Sequence, residues 1–247
     1  MRRFFTESEN INDNFACIYE DASHISKVLR MNIGDEILIF DGTGYEYLAR
    51  LSEITSDFCK AEIFEKKYSA SEPKIKVTIY QGLPKSGKME SIIQKSVELG
   101  ACNIVPVLTD RIVAKLEKGK KEQEKLKRWN KVAVEAAKQC GRGILPEVLP
   151  PLSFKQAIDE MCKSSIPIMP YEELGHEGVS NLKTVLSDLK TDKISVIIGP
   201  EGGFSDNEAE YAKSKNVNMV GLGRRILRTE TVSSCILSAM MYETGEF

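Results

Sequence analysis

Apolar residues recur along the chain at two different spacings, and the change falls near residue 70. Before it, short β-type runs at 15–19, 35–40, 45–51 and 59–64 predict strands. Asp41-Gly42-Thr43-Gly44 supplies turn chemistry between the second run and the third. Strands at this spacing predict a small barrel, with a short helix over 22–29. Ala70-Ser71-Glu72-Pro73 reads as a linker.

After the linker, strands alternate with helices. Strands are predicted at 75–80, 103–107, 166–169, 194–198 and 217–222. The run at 194–198 is apolar throughout, as in a parallel strand buried on both faces. Helices are predicted from Gly87 to Leu99, with Gly100 as a left-handed cap, and through Leu126, Trp129, Val132, Ala133, Ala136, Ala137 and Cys140, with Gly141 as the stop. Ser153 opens another, with Phe154, Ala157, Ile158 and Met161 on one face. Ser205-Asp206-Asn207-Glu208 is a capping box, and a final helix is predicted from Thr231 to Thr244. This alternation argues for an α/β fold with a parallel sheet. The division predicted is 1–70 for the barrel and 74–247 for the larger domain.

Composition narrows the class. With 247 residues, the chain can bury a sizeable core without disulfides or metals. No run approaches the roughly 18 apolar residues of a membrane span, and Met1-Arg2-Arg3-Phe4-Phe5 is not a secretory leader. The six cysteines are scattered singly, and the two histidines stand at no metal-ligand spacing. The expectation is a cytoplasmic protein with no membrane association and no metal. Net charge is −2, yet residues 115–131 carry eight basic side chains against three acidic ones. That excess suits phosphate contact or a solvated helix face equally well.

Three segments could carry chemistry. Gly82-Leu83-Pro84-Lys85-Ser86-Gly87-Lys88 matches part of a phosphate-binding P-loop between a strand and a helix. Met89 follows where a magnesium-holding hydroxyl belongs, and Pro84 removes a backbone donor, so an NTPase is the weaker alternative. The second segment, Ile197-Ile198-Gly199-Pro200-Glu201-Gly202-Gly203-Phe204-Ser205, runs from a buried strand through a glycine-rich turn into a capped helix. Ligands of parallel α/β sheets bind beyond such strand ends, although an ordinary tight turn has the same pattern. The third, Gly221-Leu222-Gly223-Arg224-Arg225-Ile226-Leu227-Arg228-Thr229-Glu230-Thr231, again links a strand to a helix and concentrates arginines. A solvated loop with a capping threonine is its plain reading.

Together these segments resemble the SPOUT superfamily of trefoil-knotted methyltransferases, and within it the RsmE family. The resemblance extends to Met1-Arg2-Arg3-Phe4-Phe5, His24 to Arg30 with Gly34-Asp35, and Lys85-Ser86-Gly87-Lys88-Met89-Glu90. It continues through Gln94 to Gly100, Arg128-Trp129 and Glu135 to Arg142. The chain departs from the family at Thr231-Val232-Ser233-Ser234-Cys235, where alanines are usual, and at Cys140, where serine is common. The resemblance implies an N-terminal PUA-like β-barrel and a C-terminal α/β-knot, a deep trefoil knot on a parallel sheet. It implies S-adenosyl-L-methionine as cofactor, methylation of N3 of a uridine in 16S ribosomal RNA, and a homodimer. A non-catalytic RNA-binding assembly protein is the rival reading.

By the same resemblance the cofactor is held by three loops: Tyr171 and Glu172; Ile198, Gly199, Pro200, Glu201, Gly202 and Gly203; and Leu222, Gly223, Ile226, Leu227 and Arg228. Arg228 is expected to stabilise the developing uracil anion, and Glu230 to accept the N3 proton, to orient Arg228, or merely to start a helix. Arg2, Arg3, Arg30, Lys85, Lys88 and Arg142 are the expected contacts to 16S RNA or the small ribosomal subunit. The first 70 residues carry more acid than base, so any RNA face there must be a local patch.

Overall fold

A computed structural model of the chain describes residues 1–85, 87–112, 119–176, 181–187 and 189–247. Ser86 of the P-loop-like string and Lys115, Glu117 and Lys118 of the basic stretch lie outside the described residues. Two compact units form: residues 1–72 with 137–145, and residues 73–136 with 146–247.

The first unit is built on strands β1 (Arg2–Phe5), β2 (Phe15–Ile18), β3 (Glu36–Phe40), β4 (Tyr45–Ile54) and β5 (Cys59–Tyr68). They form one sheet in the order β1-β3-β4-β5-β2. Side chains alternate across a strand, so Ile37 and Ile39 of β3 and Ala49 and Leu51 of β4 share one buried face with Ile18, Ile25 and Ala61. Thr6, one residue past β1, donates its hydroxyl to the Cys17 carbonyl in β2 at 2.6 Å, which draws the two outer strands together and curls the sheet.

Two features depart from expectation. Strand β1 is not apparent from alternation, because Arg-Arg-Phe-Phe shows none, and its partner is the parallel strand β3. The short helix expected over 22–29 is present, but as a single π-turn at His24–Val28, closed by the Leu29 N–H on the His24 carbonyl at 2.8 Å.

Buried charge organises the edge of this unit. Arg142 lies between Nε–Oε1 and Nη2–Oε2 bonds to Glu72, at 3.3 and 2.7 Å, and each side chain is only 3 % exposed. The same carboxylate accepts the N–H groups of Gly143 and Ile144. Arg3 donates to Glu46 at 3.1 Å and to the Arg142 carbonyl at 2.7 Å, with its guanidinium 3.8 Å above the Phe40 ring.

The second unit contains β6 (Lys76–Gly82), β7 (Ala101–Leu108), β8 (Glu147–Val148), β9 (Leu152–Ser153), β10 (Ile166–Pro170), β11 (Lys193–Ile198) and β12 (Asn218–Val220). All pairings are parallel, in the order β12-β10-β11-β6-β7-β8, with β9 also on β7. Its helices are α1 (Lys88–Glu98), α2 (Lys120–Cys140), α3 (Phe154–Ser164), α4 (Glu172–His176), α5 (Leu182–Ser187), α6 (Asp206–Ser214) and α7 (Thr229–Glu243); the last residues of α2 belong to the first unit.

Both faces of this sheet are covered, which is why β11 needs no polar alternation. On one face Val77, Ile79, Val196 and Ile198 pack with Ile236, Leu237 and Met240 of α7. On the other, Tyr80, Val105 and Ile197 pack with Phe154, Ile158 and Met161 of α3. Ser153 and Ser205 cap α3 and α6 in full capping boxes, with Gln156 and Glu208 as reciprocal acceptors. Helix α7 begins two residues before the expected Thr231, with Arg228 as its extended N-cap.

Glu72→Ala is expected to destabilise the first unit by about 3–5 kcal/mol, because it removes the carboxylate that pairs the buried Arg142 guanidinium and accepts the Gly143 and Ile144 N–H groups. Urea titration followed by circular dichroism checks this; a loss below about 1 kcal/mol would mean that the pair carries little of the fold.

Candidate active site

The carboxyl ends of β10, β11 and β12, three neighbouring strands, open onto a single cavity of about 760 Å³. Strand β11 delivers the first wall. Its apolar run ends at Gly199, and the chain turns back when the Gly203 N–H bonds the Pro200 carbonyl at 2.9 Å. Gly203 has φ +67°, a left-handed backbone that glycine adopts without strain. The turn is packed tightly from behind: a Cβ on Gly82, the last residue of β6, would stand 2.7 Å from Pro200 Cδ and 2.9 Å from the Ile198 carbonyl oxygen.

The second wall follows β12. Leu222 to Leu227 cross the cavity, Gly223 takes φ +90°, and Arg228 leads into α7. Thr229 pins this wall to the first. It is 4 % exposed, donates its hydroxyl to the Gly199 carbonyl at 2.7 Å, and accepts from Gln81 Nε2 at 2.9 Å. Tyr171 forms the third wall, its N–H bonded to the Val220 carbonyl at 2.9 Å. Burial, with Glu173 close by, pushes the Tyr171 phenol above its usual range, so it stays a neutral donor.

The structure brings Tyr171, Glu172, Ile198, Gly199, Pro200, Glu201, Gly202, Gly203, Leu222, Gly223, Ile226, Leu227 and Arg228 together as lining of this one cavity. Glu230 is not part of that lining; its Oε2 accepts the Lys88 ammonium at 3.1 Å. Lys88 does line the cavity, and it bonds Glu201 Oε1 at the same 3.1 Å distance. A P-loop lysine faces triphosphate, whereas this one is already engaged by two carboxylates, which opposes binding of a nucleotide's phosphates there.

The six residues expected on RNA divide. Arg2, Arg30 and Lys85 are exposed. Arg142 is a correction: its guanidinium is buried against Glu72 and faces no solvent from which a phosphate could approach. Arg3 is a second, since its side chain is 15 % exposed and committed to Glu46, Phe40 and a backbone carbonyl. Lys88 stays 33 % exposed while its ammonium bonds Glu201 and Glu230.

Sequence reasoning passed over Arg111, Arg224 and Arg225, all exposed on the cavity's lining. The last two sit inside the flagged turn, and their crowding beside Gly223 was a usable signal. Arg111 follows β7 and reaches the site only through the fold: its Nη1 lies 3.4 Å from the Gly202 carbonyl and its Nη2 3.8 Å from Asp206.

Comparison with known proteins agrees with this geometry. Residues 71–241 match the family model of an RNA methyltransferase domain, and residues 20–64 that of an RNA methyltransferase PUA domain. Ribosomal RNA small subunit methyltransferase E of Bacillus subtilis (strain 168) is 37% identical, over 99% of this chain and 97% of its own length. A crystal structure of the ribosomal RNA small subunit methyltransferase E from Neisseria gonorrhoeae bound to S-adenosyl methionine superposes with TM-score 0.84 at 28% identity, covering 98% of this chain and 97% of that one. A crystal structure of a hypothetical protein gives TM-score 0.87 at 36% identity, with 98% of both chains covered. With a PUA domain before an RNA methyltransferase domain, and with likeness to those relatives along nearly its full length, the chain belongs to the ribosomal RNA small subunit methyltransferase E family.

Proposed function

We propose that this chain methylates N3 of a uridine in 16S ribosomal RNA, using S-adenosyl-L-methionine as donor. One observation carries the reading: two glycine turns, at the ends of β11 and β12 on either side of β10, line a single cavity with Arg228 on its wall.

The residues present fit such a donor. A cavity of about 760 Å³ lies within the roughly 300–1,000 Å³ of small-molecule sites. A Cβ on Gly199 would stand 3.3 Å from Gly203 Cα, so the turn is closely packed at this point. Ile198, Leu222, Ile226 and Leu227 supply apolar walls, and Glu172 and Glu201 supply carboxylates for an ammonium group. When bound, S-adenosyl-L-methionine supplies a methyl group activated by its sulfonium. The protein's part is to hold the uracil in line with that group and to exclude water. Arg228 is the residue to stabilise negative charge on the ring as N3 loses its proton. The target base has to leave its stack to enter.

RNA contact falls to exposed cations: Arg2, Arg30 and Lys85 from the original set, and Arg224 and Arg225 at the cavity. A trefoil knot in the second unit and a homodimer belong to the same reading, on the family resemblance. So does the cytoplasm: all six cysteines are free thiols, as in a reducing compartment, and no helix among the described residues is long and apolar enough to cross a membrane.

Calorimetry with S-adenosyl-L-methionine, followed by mass spectrometry of 16S RNA after incubation with the purified protein, tests the proposal; a folded protein that ignores the donor would sink it. Arg228→Ala should abolish methyl transfer while changing donor affinity by less than about threefold, since it removes an interaction made mainly in the transition state. Gly82→Ala should weaken donor binding by about tenfold or more, although Gly82 is no part of the cavity lining, because its methyl must displace the Pro200 turn. Replacing Arg224 and Arg225 together by alanine should raise KM for RNA and lower the salt slope of binding by about 2.

A further inference from the structure

Lys88 occupies a place that helix formation does not explain. It is the first residue of α1, after Gly87 at φ +88° with no side-chain cap. A cation at a helix N-terminus opposes the helix dipole. Its ammonium instead points to two carboxylates from separate turns, Glu201 Oε1 and Glu230 Oε2, each at 3.1 Å. Glu201 belongs to the turn after β11 and also accepts the Lys85 N–H at 3.1 and 3.2 Å. Glu230 belongs to the first turn of α7, directly after the arginine-rich wall. One ammonium therefore joins the start of α1 to both glycine-turn walls of the cavity.

We propose that Lys88 is a positioning residue for methyl transfer: by bridging Glu201 and Glu230 it fixes the spacing of the two cavity turns, with Glu230 as its anchor and not as the base that removes the uridine proton. This rests on the methyltransferase reading of the site.

The charge states agree. Hydrogen bonds that the Lys88 ammonium donates to Glu201 and Glu230 hold it above the usual lysine range. Glu230's own backbone N–H, against a smaller effect of burial, and then Lys88 and Arg228, keep its carboxyl below the usual carboxylate range. Burial pushes Glu201 up, but its own backbone N–H, the Lys88 ammonium and the Lys85 N–H outweigh that and leave it low. All three groups are charged at neutral pH, and a carboxylate held that low is a weak general base. The Lys88 side chain is 33 % exposed, where an ion pair adds little to stability. The bridge therefore acts on geometry more than on folding free energy.

The test uses full-length protein, radiolabelled S-adenosyl-L-methionine and small ribosomal subunits lacking the modification. Lys88→Met should lower kcat by about 10–100-fold, the cost of a small misplacement. KM for subunits should stay within about threefold, and the melting temperature close to that of the wild type. Lys88→Arg should restore most of the rate. Glu230→Gln should lose about as much as Lys88→Met, and the double variant should be no worse than the worse single, because both act through one bridge.

Four results would overturn the inference. A raised KM with weakened salt dependence at unchanged kcat would make Lys88 a phosphate contact. Glu230→Gln falling far below Lys88→Met would make Glu230 the base. A rate loss that tracks a collapse in melting temperature would make Lys88 structural only. Full activity in Lys88→Met would remove it from the mechanism. Wild-type protein that binds no donor would instead bring down the underlying reading.

Discussion

The Thr229 hydroxyl is the contact on which the cavity depends. A hydroxyl donates once and accepts twice, and this one donates to the Gly199 carbonyl while accepting from Gln81. It thereby ties the start of α7 to the end of β11 and, through Gln81, to β6. Gln81 is fully buried and also donates to the Gly82 carbonyl at 3.0 Å. Breaking these bonds would leave further buried polar groups unpaired, at about 1–3 kcal/mol each, beside Gln81 Oε1, which already lacks a partner among the described residues. The tie holds the start of α7 against the end of β11, with Thr229 itself on the cavity lining.

Close packing of strand ends makes the same demand on sequence. Gly82 has no room for a Cβ against Pro200 and Ile198, and a Cβ on Gly202 would come within 3.1 Å of Arg111. Hydrophobic burial on both faces holds β6 and β11 side by side, and parallel strands that close require small residues where their ends diverge into turns. The glycines thus answer two constraints at once, one from the core behind them and one from a ligand in front.

What could be read from the sequence followed from how local its cause is. The capping boxes at Ser153 and Ser205 are contained within four residues, and both are present in the structure. The glycine turns were likewise visible, because strand, turn and helix follow one another in the chain. Strand β1 was not, since its pattern lacks alternation and its partner β3 lies far along the chain. Lys88 and Arg142 were read as surface cations for the same reason. Their partners Glu230 and Glu72 are 142 and 70 residues away, and only the fold brings them into contact. A lysine or arginine in a motif carries its charge in plain sight but not the carboxylate that claims it.

That limit bears on how the protein would grip RNA. Two of the six cations expected on phosphate are buried against acidic partners, Arg3 on Glu46 and Arg142 on Glu72, and a third, the partly exposed Lys88, is paired with two glutamates. Arg224 and Arg225 remain exposed on the cavity lining. Affinity for a polyanion scales with the phosphates neutralised, and although the net charge is −2, the exposed Lys120, Lys127 and Lys131 of α2 form a local basic stretch. Under the proposed function, such cations fix where phosphate can be met, while the base that reaches the cavity fixes which nucleotide is modified, so charge and specificity are carried by different parts of the fold.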